Sequence, residues 1–248
     1  MKLPLIAGVI GVALSLAVSD SKATSIYNAS YDGSGNIITS GNVTLDDYVV
    51  VGIYNGSTAF IYDGTAYGRI FGANFVSQLQ VGGKYSGTSV DLKPYQTYQE
   101  FSPPLGQTPT QVSLDNPISF VSISDISTIA STAPLASSPS GGSTYNLNFA
   151  PITFTFTPGT DTALSSGGSV MATDANGTTI QFYRSVTDDT MLAGQSYTVT
   201  AYVQGYQNMV ELVGASFEPV PEPGSLALLV AGTGFIGLVI WKRRRKTA

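Results

Sequence analysis

Short apolar runs separated by turn residues make up most of this chain, and this pattern favours β-strands throughout its middle. Tyr48–Tyr54 (YVVVGIY) is followed by Asn55-Gly56 and then by a second apolar run. Asn-Gly between two apolar runs is a strong indication of a β-hairpin. Comparable strand patterns occur at Pro151–Thr157, Met171–Tyr183 with Asn176-Gly177 at its turn, Tyr197–Val203 and Met209–Phe217. No long helical periodicity occurs between residues 24 and 218, so the sequence predicts an all-β class.

The middle of the chain also contains a weak internal sequence repeat. Residues 59–101 lie over residues 170–212 without a gap when the chain is shifted by 111 positions. Matched pairs include Asp63 with Asp174, Gly83 with Gly194, Tyr95 with Tyr206, and Glu100 with Glu211. Each copy is similar to the later strands of an OB-fold barrel, which closes its sheet and leaves no exposed edge. We therefore expect two small Greek-key OB-like barrels, with an immunoglobulin-like β-sandwich as the alternative.

The first 23 residues have the three-part pattern of a secretory signal peptide. One lysine precedes an apolar stretch from Leu3 to Val18, and small residues follow at Ser21 and Ala23. These two positions predict cleavage after Ala23, and Ala17-Val18-Ser19 supplies a second candidate cut.

Composition excludes several classes of chemistry. The chain has no cysteine and no histidine, which rules out disulfides, thiolate or imidazole metal sites and Cys or His catalysis. Residues 24–219 contain four basic and 14 acidic residues, a net charge of −10. Because phosphate contacts need cationic surface, we expect no nucleic-acid partner, and we expect no cofactor.

The C-terminus combines an apolar run with a basic cluster. Residues 225–241 contain no charge and predict a transmembrane helix of about 25 Å at 1.5 Å per residue. The cluster that follows consists of Lys242, Arg243, Arg244, Arg245 and Lys246. The positive-inside tendency places this cluster in the cytoplasm and the body of the chain outside.

Three elements in order, namely Pro221-Glu222-Pro223, the apolar run and the basic cluster, resemble the PEP-CTERM sorting signal. That family occurs in Gram-negative bacteria that make extracellular polysaccharide. The resemblance implies a membrane-embedded exosortase as partner and cleavage near Pro221–Pro223. It also implies an inner-membrane-anchored precursor that later reaches the cell surface or the extracellular space.

These features divide the chain into five segments. They are a signal peptide (1–23), a first OB-like β domain (24–102), a connection rich in Pro, Ser and Thr (103–142), a second OB-like β domain (143–218) and the sorting signal (219–248).

Two pairs of adjacent acids and one loop are candidates for catalytic or metal sites. Asp46-Asp47 and Asp188-Asp189 are adjacent, and adjacent strand residues point to opposite faces, so we interpret both pairs as solvated loop acids. Tyr31–Thr39 begins like a calcium loop, but Ile37 stands where an EF-hand needs glycine. A polar turn is the simpler interpretation, and we predict no catalytic and no metal residues.

Seven tyrosines are candidates for stacking against sugar rings or for packing in the barrels. They are Tyr54, Tyr62, Tyr67, Tyr95, Tyr98, Tyr202 and Tyr206. We expect a non-enzymatic surface or matrix protein, structural or adhesive, next to extracellular polysaccharide. One alternative is a glycan-binding module with an aromatic groove, and another is a carboxylate-dependent hydrolase with two acids converging in a cleft.

Overall fold

The computed structural model describes residues 23–34, 36–95, 98–130, 147–206 and 209–221. In the first half the strands are β1 Ala23–Thr24, β2 Asn42–Leu45, β3 Tyr48–Tyr54, β4 Thr58–Tyr62, β5 Tyr67–Phe71, β6 Lys84–Ser86, β7 Thr88–Tyr95, β8 Tyr98–Ser102 and β9 Thr110–Ser113. In the second half they are β10 Val121–Ile123, β11 Pro151–Phe156, β12 Thr162–Ala163, β13 Ser169–Thr173, β14 Thr179–Tyr183, β15 Thr190–Met191, β16 Tyr197–Tyr206 and β17 Met209–Pro219. The described residues also form three short helices, α1 Ile26–Ser30, α2 Ala73–Val76 and α3 Ser127–Ala130. The expected all-β class is confirmed.

The second half forms a barrel with the strand order of an OB fold. Around this barrel the strands follow the order β11, β16, β17, β14 and β13. In this order β14 runs parallel to β17, and the other neighbouring pairs are antiparallel. A bridge between Pro158 and Asp174 joins the end of β11 to β13 and closes the ring. The parallel pair favours the OB-like barrel over the immunoglobulin-like sandwich, whose two sheets are antiparallel.

The first half repeats this order with one long, interrupted strand. Leu45 of β2 pairs with Thr88 of β7, and Tyr48 of β3 pairs with Tyr85 of β6 in the same register. The ring continues through antiparallel β3, β4 and β5, and then through the parallel pair β5 and β8. It closes because β8 returns antiparallel to β7.

Local structure agrees with the internal repeat and corrects part of its sequence alignment by one residue. The side chains of Asp63 and Asp174 each accept backbone N–H bonds from the turn that follows them. The hydroxyls of Tyr85 and Tyr197 each accept a backbone N–H bond from five residues earlier. Because Tyr85 corresponds to Tyr197, the shift here is 112 and not 111. The extra residue of the second barrel lies in the turn after Asp174, where five residues separate the paired Thr173 and Thr179 but four separate Tyr62 and Tyr67. The shift returns to 111 at Gly87, whose positive φ of 64° separates β6 from β7 where β16 runs unbroken.

The start of the described chain is tied to the first barrel by α1. Ser25 caps this helix by accepting a hydrogen bond from the Asn28 amide at 3.3 Å. Ile26 is buried in the first barrel, and its amide donates to the Asp63 carboxylate at 2.7 Å. The chain is therefore anchored within three residues of Ala23.

The two barrels pack directly against each other. Each has its own apolar core, and a third buried cluster between them combines Val51, Phe60 and Tyr98 with Phe149 and Val213. The ring of Tyr202 stacks on Phe60 at 4.2 Å, and its hydroxyl donates to the Val51 carbonyl at 3.2 Å. Gly52 leaves the space that this ring occupies, because a Cβ at this position would overlap it.

We expect Gly52→Ala to lower the free energy of unfolding by about 1–3 kcal/mol, because the added methyl group must displace Tyr202. Urea denaturation of the full chain in detergent measures this change. Gly33→Ala is the matched control, since nothing lies within 4 Å of that position. Equal stability of the two variants would contradict close packing of the barrels at Gly52.

Candidate functional site

A cavity of about 460 Å³ lies where the two barrels meet. The first barrel contributes Arg69, Phe71, Tyr95, Tyr98 and Glu100. The second barrel contributes Gln181, Tyr183, Gln204, Tyr206 and Glu211. We call this space the inter-barrel cavity. Its volume lies within the usual range of small-molecule sites.

Equivalent strands of the two barrels form the walls of the inter-barrel cavity. Ile70 pairs with Phe101 in the parallel ladder of the first barrel, and Phe182 pairs with Leu212 in that of the second. The residues one position earlier in these ladders are equivalent across the repeat: Arg69 with Gln181, and Glu100 with Glu211. Tyr95 and Tyr206 are equivalent as well, because each ends the first strand of the last hairpin of its barrel. One barrel alone would form half of the site.

Arg69 connects the polar groups of the two barrels. Its Nη1 donates to the Tyr98 hydroxyl at 2.6 Å and to Gln204 Oε1 at 2.9 Å. Its Nη2 lies 3.7 Å from Glu100 Oε2. The guanidinium also lies over the rings of Tyr98 and Phe71, at 5.4 and 5.8 Å. These contacts hold the side chain in one orientation.

The polar network continues from Gln204 to Glu211. Gln204 Nε2 donates to Glu211 Oε2 at 3.2 Å, and Glu211 is only 3% exposed. Burial raises the pKa of both Glu100 and Glu211, and the charge of Arg69 acts in the opposite direction on each. The inter-barrel cavity therefore holds two carboxyl groups in a partly desolvated setting.

Two polar atoms at this cavity have no partner within the protein. Among the described residues, Arg69 Nε and Gln181 Oε1 are buried and make no hydrogen bond. Buried polar groups in folded proteins are nearly always paired, so these atoms mark places where a bound molecule or a water would supply the missing partner. One is a donor and the other an acceptor.

Aromatic side chains form the rim. Tyr95 stacks near Tyr206, with ring centroids 6.5 Å apart and planes 21° apart, and it lies 5.5 Å from Tyr98. Tyr95 is 46% exposed and Phe71 is 41% exposed, so their faces are accessible to a ligand. Flat aromatic faces beside buried hydrogen-bonding groups can bind molecules that have both an apolar face and polar substituents.

The seven candidate tyrosines fall into two groups. Tyr95, Tyr98 and Tyr206 line the inter-barrel cavity. The others pack against the buried cluster between the barrels: Tyr54, Tyr62, Tyr67 and Tyr202. Arg69, Gln181 and Gln204 are not among the site residues that the sequence predicts. Two features of the sequence could have indicated this site: the scarcity of basic residues, which makes Arg69 unusual, and the matched pair of Glu100 and Glu211.

The paired acids lie in exposed loops away from this cavity. Asp47 forms an ion pair with Lys84 at 2.8 Å. Asp188 accepts hydrogen bonds from the amide and hydroxyl of Ser166, at 2.6 and 2.8 Å. Asp46 and Asp189 are also exposed. Neither doublet forms a converging pair of carboxylates.

The loop that begins like a calcium site forms a turn around Asp32. Its Oδ1 accepts the backbone N–H groups of Ser34 and Asn36 at 2.8 and 2.9 Å. Across the described ranges, no group of three or more Asp and Glu residues is placed to hold a metal ion.

The processing residues lie at the two ends of the described chain. Ala23 is exposed and pairs with Thr44 at the start of the first barrel. Val220 still donates a backbone hydrogen bond to Ser196 at 2.9 Å, and Pro221 directly after it is exposed. Glu222, Pro223 and the predicted helix 225–241 with its cluster Lys242–Lys246 lie outside the described residues. In the part that is described, none of the helices has the length and apolar character needed to cross a membrane.

A family model described as the PEP-CTERM protein-sorting motif matches residues 219–245. The chain carries a PEP-CTERM sorting motif. This motif implies an exported surface protein that an exosortase processes from a membrane-anchored precursor. It begins at the residue where β17 ends, so no separate linker joins the second barrel to the sorting segment.

Solved structures with detectable similarity include HIN domains. The tetrameric p202 HIN2 is 10% identical over 77% of this chain and 100% of its own, with a TM-score of 0.37. The p204 HINb domain is 10% identical over 74% and 100%, with a TM-score of 0.34. The Ifi202 HINa domain, solved with 20 bp of double-stranded DNA, is 9% identical over 73% and 100%, with a TM-score of 0.31. Similarities this low assign no ligand to this chain. A comparison with curated proteins found no match.

The raised pKa of Glu211 predicts how stability depends on pH. The folded chain holds the Glu211 proton more tightly than the unfolded chain does, so stability falls as pH rises from the ordinary value of 4.5 through the folded pKa. We expect the free energy of unfolding of Glu211→Gln to decrease less than that of the wild type between about pH 4 and pH 7. The difference should be about 1.4 kcal/mol for each unit by which the folded pKa exceeds the unfolded one.

Thermal unfolding of the full chain at both pH values tests this expectation. Glu218→Gln, at an exposed position on the same strand, is the control and should follow the wild-type pH profile. A Glu211→Gln profile identical to that of the wild type would show that burial does not perturb this carboxyl group.

Proposed function

We propose that this protein is a non-enzymatic, adhesive surface protein that holds a saccharide of the extracellular polysaccharide in the inter-barrel cavity. The observation that carries the proposal is the combination of the exposed rings of Tyr95 and Phe71 with a network of planar polar side chains. Sugar rings present apolar C–H faces and hydroxyl edges, and these two surfaces match such a site. The sorting motif supports the same role, because it directs the chain to the compartment where polysaccharide accumulates.

A double-barrel architecture suits adhesion to a polymer. The cavity opens at a seam between two rigid barrels, and its walls come from equivalent strands. Because the tight packing at Gly52 and Tyr202 holds these walls together, little conformational entropy is lost when a ligand is bound. The acidic character of residues 24–219 argues against a polyanionic partner such as nucleic acid.

A carboxylate-dependent hydrolase is the second candidate, because Glu100 and Glu211 line the same cavity. Glycoside hydrolysis needs one protonated acid and one ionised carboxylate on opposite sides of the scissile bond. Here Glu100 faces Arg69 and Glu211 accepts a hydrogen bond from Gln204, so both groups are engaged with the protein. We propose binding without turnover. Release of reducing ends from bound oligosaccharide, lost in Glu211→Gln, would support the hydrolase instead.

The binding role predicts that loss of the rim aromatics weakens saccharide affinity. We expect Tyr95→Ala and Tyr206→Ala each to lower affinity by about tenfold, which corresponds to roughly 1.4 kcal/mol. A glycan array identifies a bound saccharide, and calorimetry with the full chain in detergent measures its affinity. Tyr27→Ala is the matched control, because Tyr27 pairs with Tyr31 and does not line the cavity. Failure of the wild-type chain to bind any saccharide would refute the proposed role.

The sorting role makes a separate prediction about processing. Replacement of Pro221-Glu222-Pro223 by three alanines should leave the unprocessed chain in the membrane fraction of its host, because prolines favour the extended backbone that a protease binds and alanines do not. Terminal mass analysis of the wild-type protein should find Thr24 first and an end near Pro221–Pro223. Normal release of the triple-alanine chain would contradict processing at this motif.

A further inference from the structure

The two carboxyl groups of the inter-barrel cavity have different charge environments. Glu100 lies 3.7 Å from Arg69, and Lys93 stands opposite it in the hairpin of β7 and β8. Both cations favour the ionised form of Glu100. The negative charge of this carboxylate is therefore compensated within the first barrel.

The equivalent positions around Glu211 carry no charge. In the parallel ladder of the second barrel Gln181 pairs with Glu211, and Gln204 stands opposite it in the hairpin. Two glutamines thus replace the two cations that surround Glu100. Among the described lining residues Arg69 is the one cation and is opposed by two carboxylates.

Acceptor atoms also concentrate on the side of the second barrel. Gln181 Oε1 is buried without a partner, next in the ladder to the Glu211 carboxylate. A group that satisfies both must donate several hydrogen bonds and carry positive charge. An ammonium group has three donors and one positive charge, whereas a hydroxyl or an N-acetyl amide is neutral and donates once. A uronate would bring a second uncompensated anion.

We propose that the inter-barrel cavity selects an amino sugar and places its ammonium group at Glu211 and Gln181. This inference rests on the proposed saccharide-binding function and adds the chemical class of the saccharide. The exposed Tyr95 and the half-buried Tyr206 fit the same ligand, since aromatic rings attract both sugar C–H faces and ammonium groups. Arg69 is held by Tyr98, Gln204 and Glu100, and it serves as the fixed positive boundary of the site.

The test uses the full chain in detergent and three oligosaccharides of equal length. They are a glucosamine oligomer, its N-acetylated counterpart and a uronic acid oligomer, titrated by calorimetry at a pH above the raised pKa of Glu211 and below the pKa of the amine. We expect the glucosamine oligomer to bind about tenfold or more tightly than the N-acetylated form, as charge-assisted hydrogen bonds predict. The uronic acid oligomer should bind least.

Two variants test the position of the ammonium group. Glu211→Gln should reduce the preference for the amine to about twofold or less, because the remaining contacts are to neutral groups. Gln181→Arg should have the same effect, since it reproduces beside Glu211 the cation that Arg69 supplies beside Glu100. Glu218→Gln is the control and should keep the preference.

The outcomes separate this inference from the proposed function. Equal binding of the glucosamine and N-acetylated oligomers, or a preference that survives both variants, would overturn the amino-sugar assignment and leave saccharide binding intact. Binding of none of the three, together with an empty glycan array, would overturn both. Loss of the preference in Glu211→Gln and Gln181→Arg, with the control unchanged, would support the assignment.

Discussion

The stacking of Tyr202 on Phe60 across Gly52 fixes the two barrels relative to each other. This contact buries aromatic surface in a cluster that belongs to neither barrel core, and large aromatic contacts of this kind contribute strongly to interfaces. Everything at the inter-barrel cavity depends on it, since Arg69 reaches Gln204 only because the barrels are held at this distance. The site is thus a consequence of packing between two repeats.

The repeat of the barrel explains why equivalent residues face each other across the inter-barrel cavity. The repeat places equivalent tyrosines, Tyr95 and Tyr206, and equivalent glutamates, Glu100 and Glu211, on opposing walls. On one wall only, the counterparts of the cations Arg69 and Lys93 are the neutral side chains of Gln181 and Gln204. A site of matched shape with an uneven charge distribution results. Such a difference can distinguish ligands that have the same ring but different substituents.

Much of the fold follows from the sequence, because hairpin and barrel patterns are local. Both Asn-Gly turns connect antiparallel strands, and the repeat of Asp63 and Asp174 marks equivalent Asx turns. The shift of one residue at Gly87 was not predictable, since an inserted glycine leaves the flanking pattern unchanged. The site was harder to predict, because Arg69 and Gln204 are 135 positions apart and their contact depends on how the barrels pack. The tyrosines illustrate the same limit: composition indicates stacking residues, but only packing separates the exposed Tyr95 from the partly buried Tyr202.

The most direct test of this account is a crystal structure of the protein with a bound amino-sugar oligosaccharide. The account predicts a sugar ring against Tyr95 and Tyr206, with its nitrogen within hydrogen-bond distance of both Glu211 and Gln181 Oε1. A saccharide bound elsewhere on either barrel, with the inter-barrel cavity occupied only by water, would contradict it.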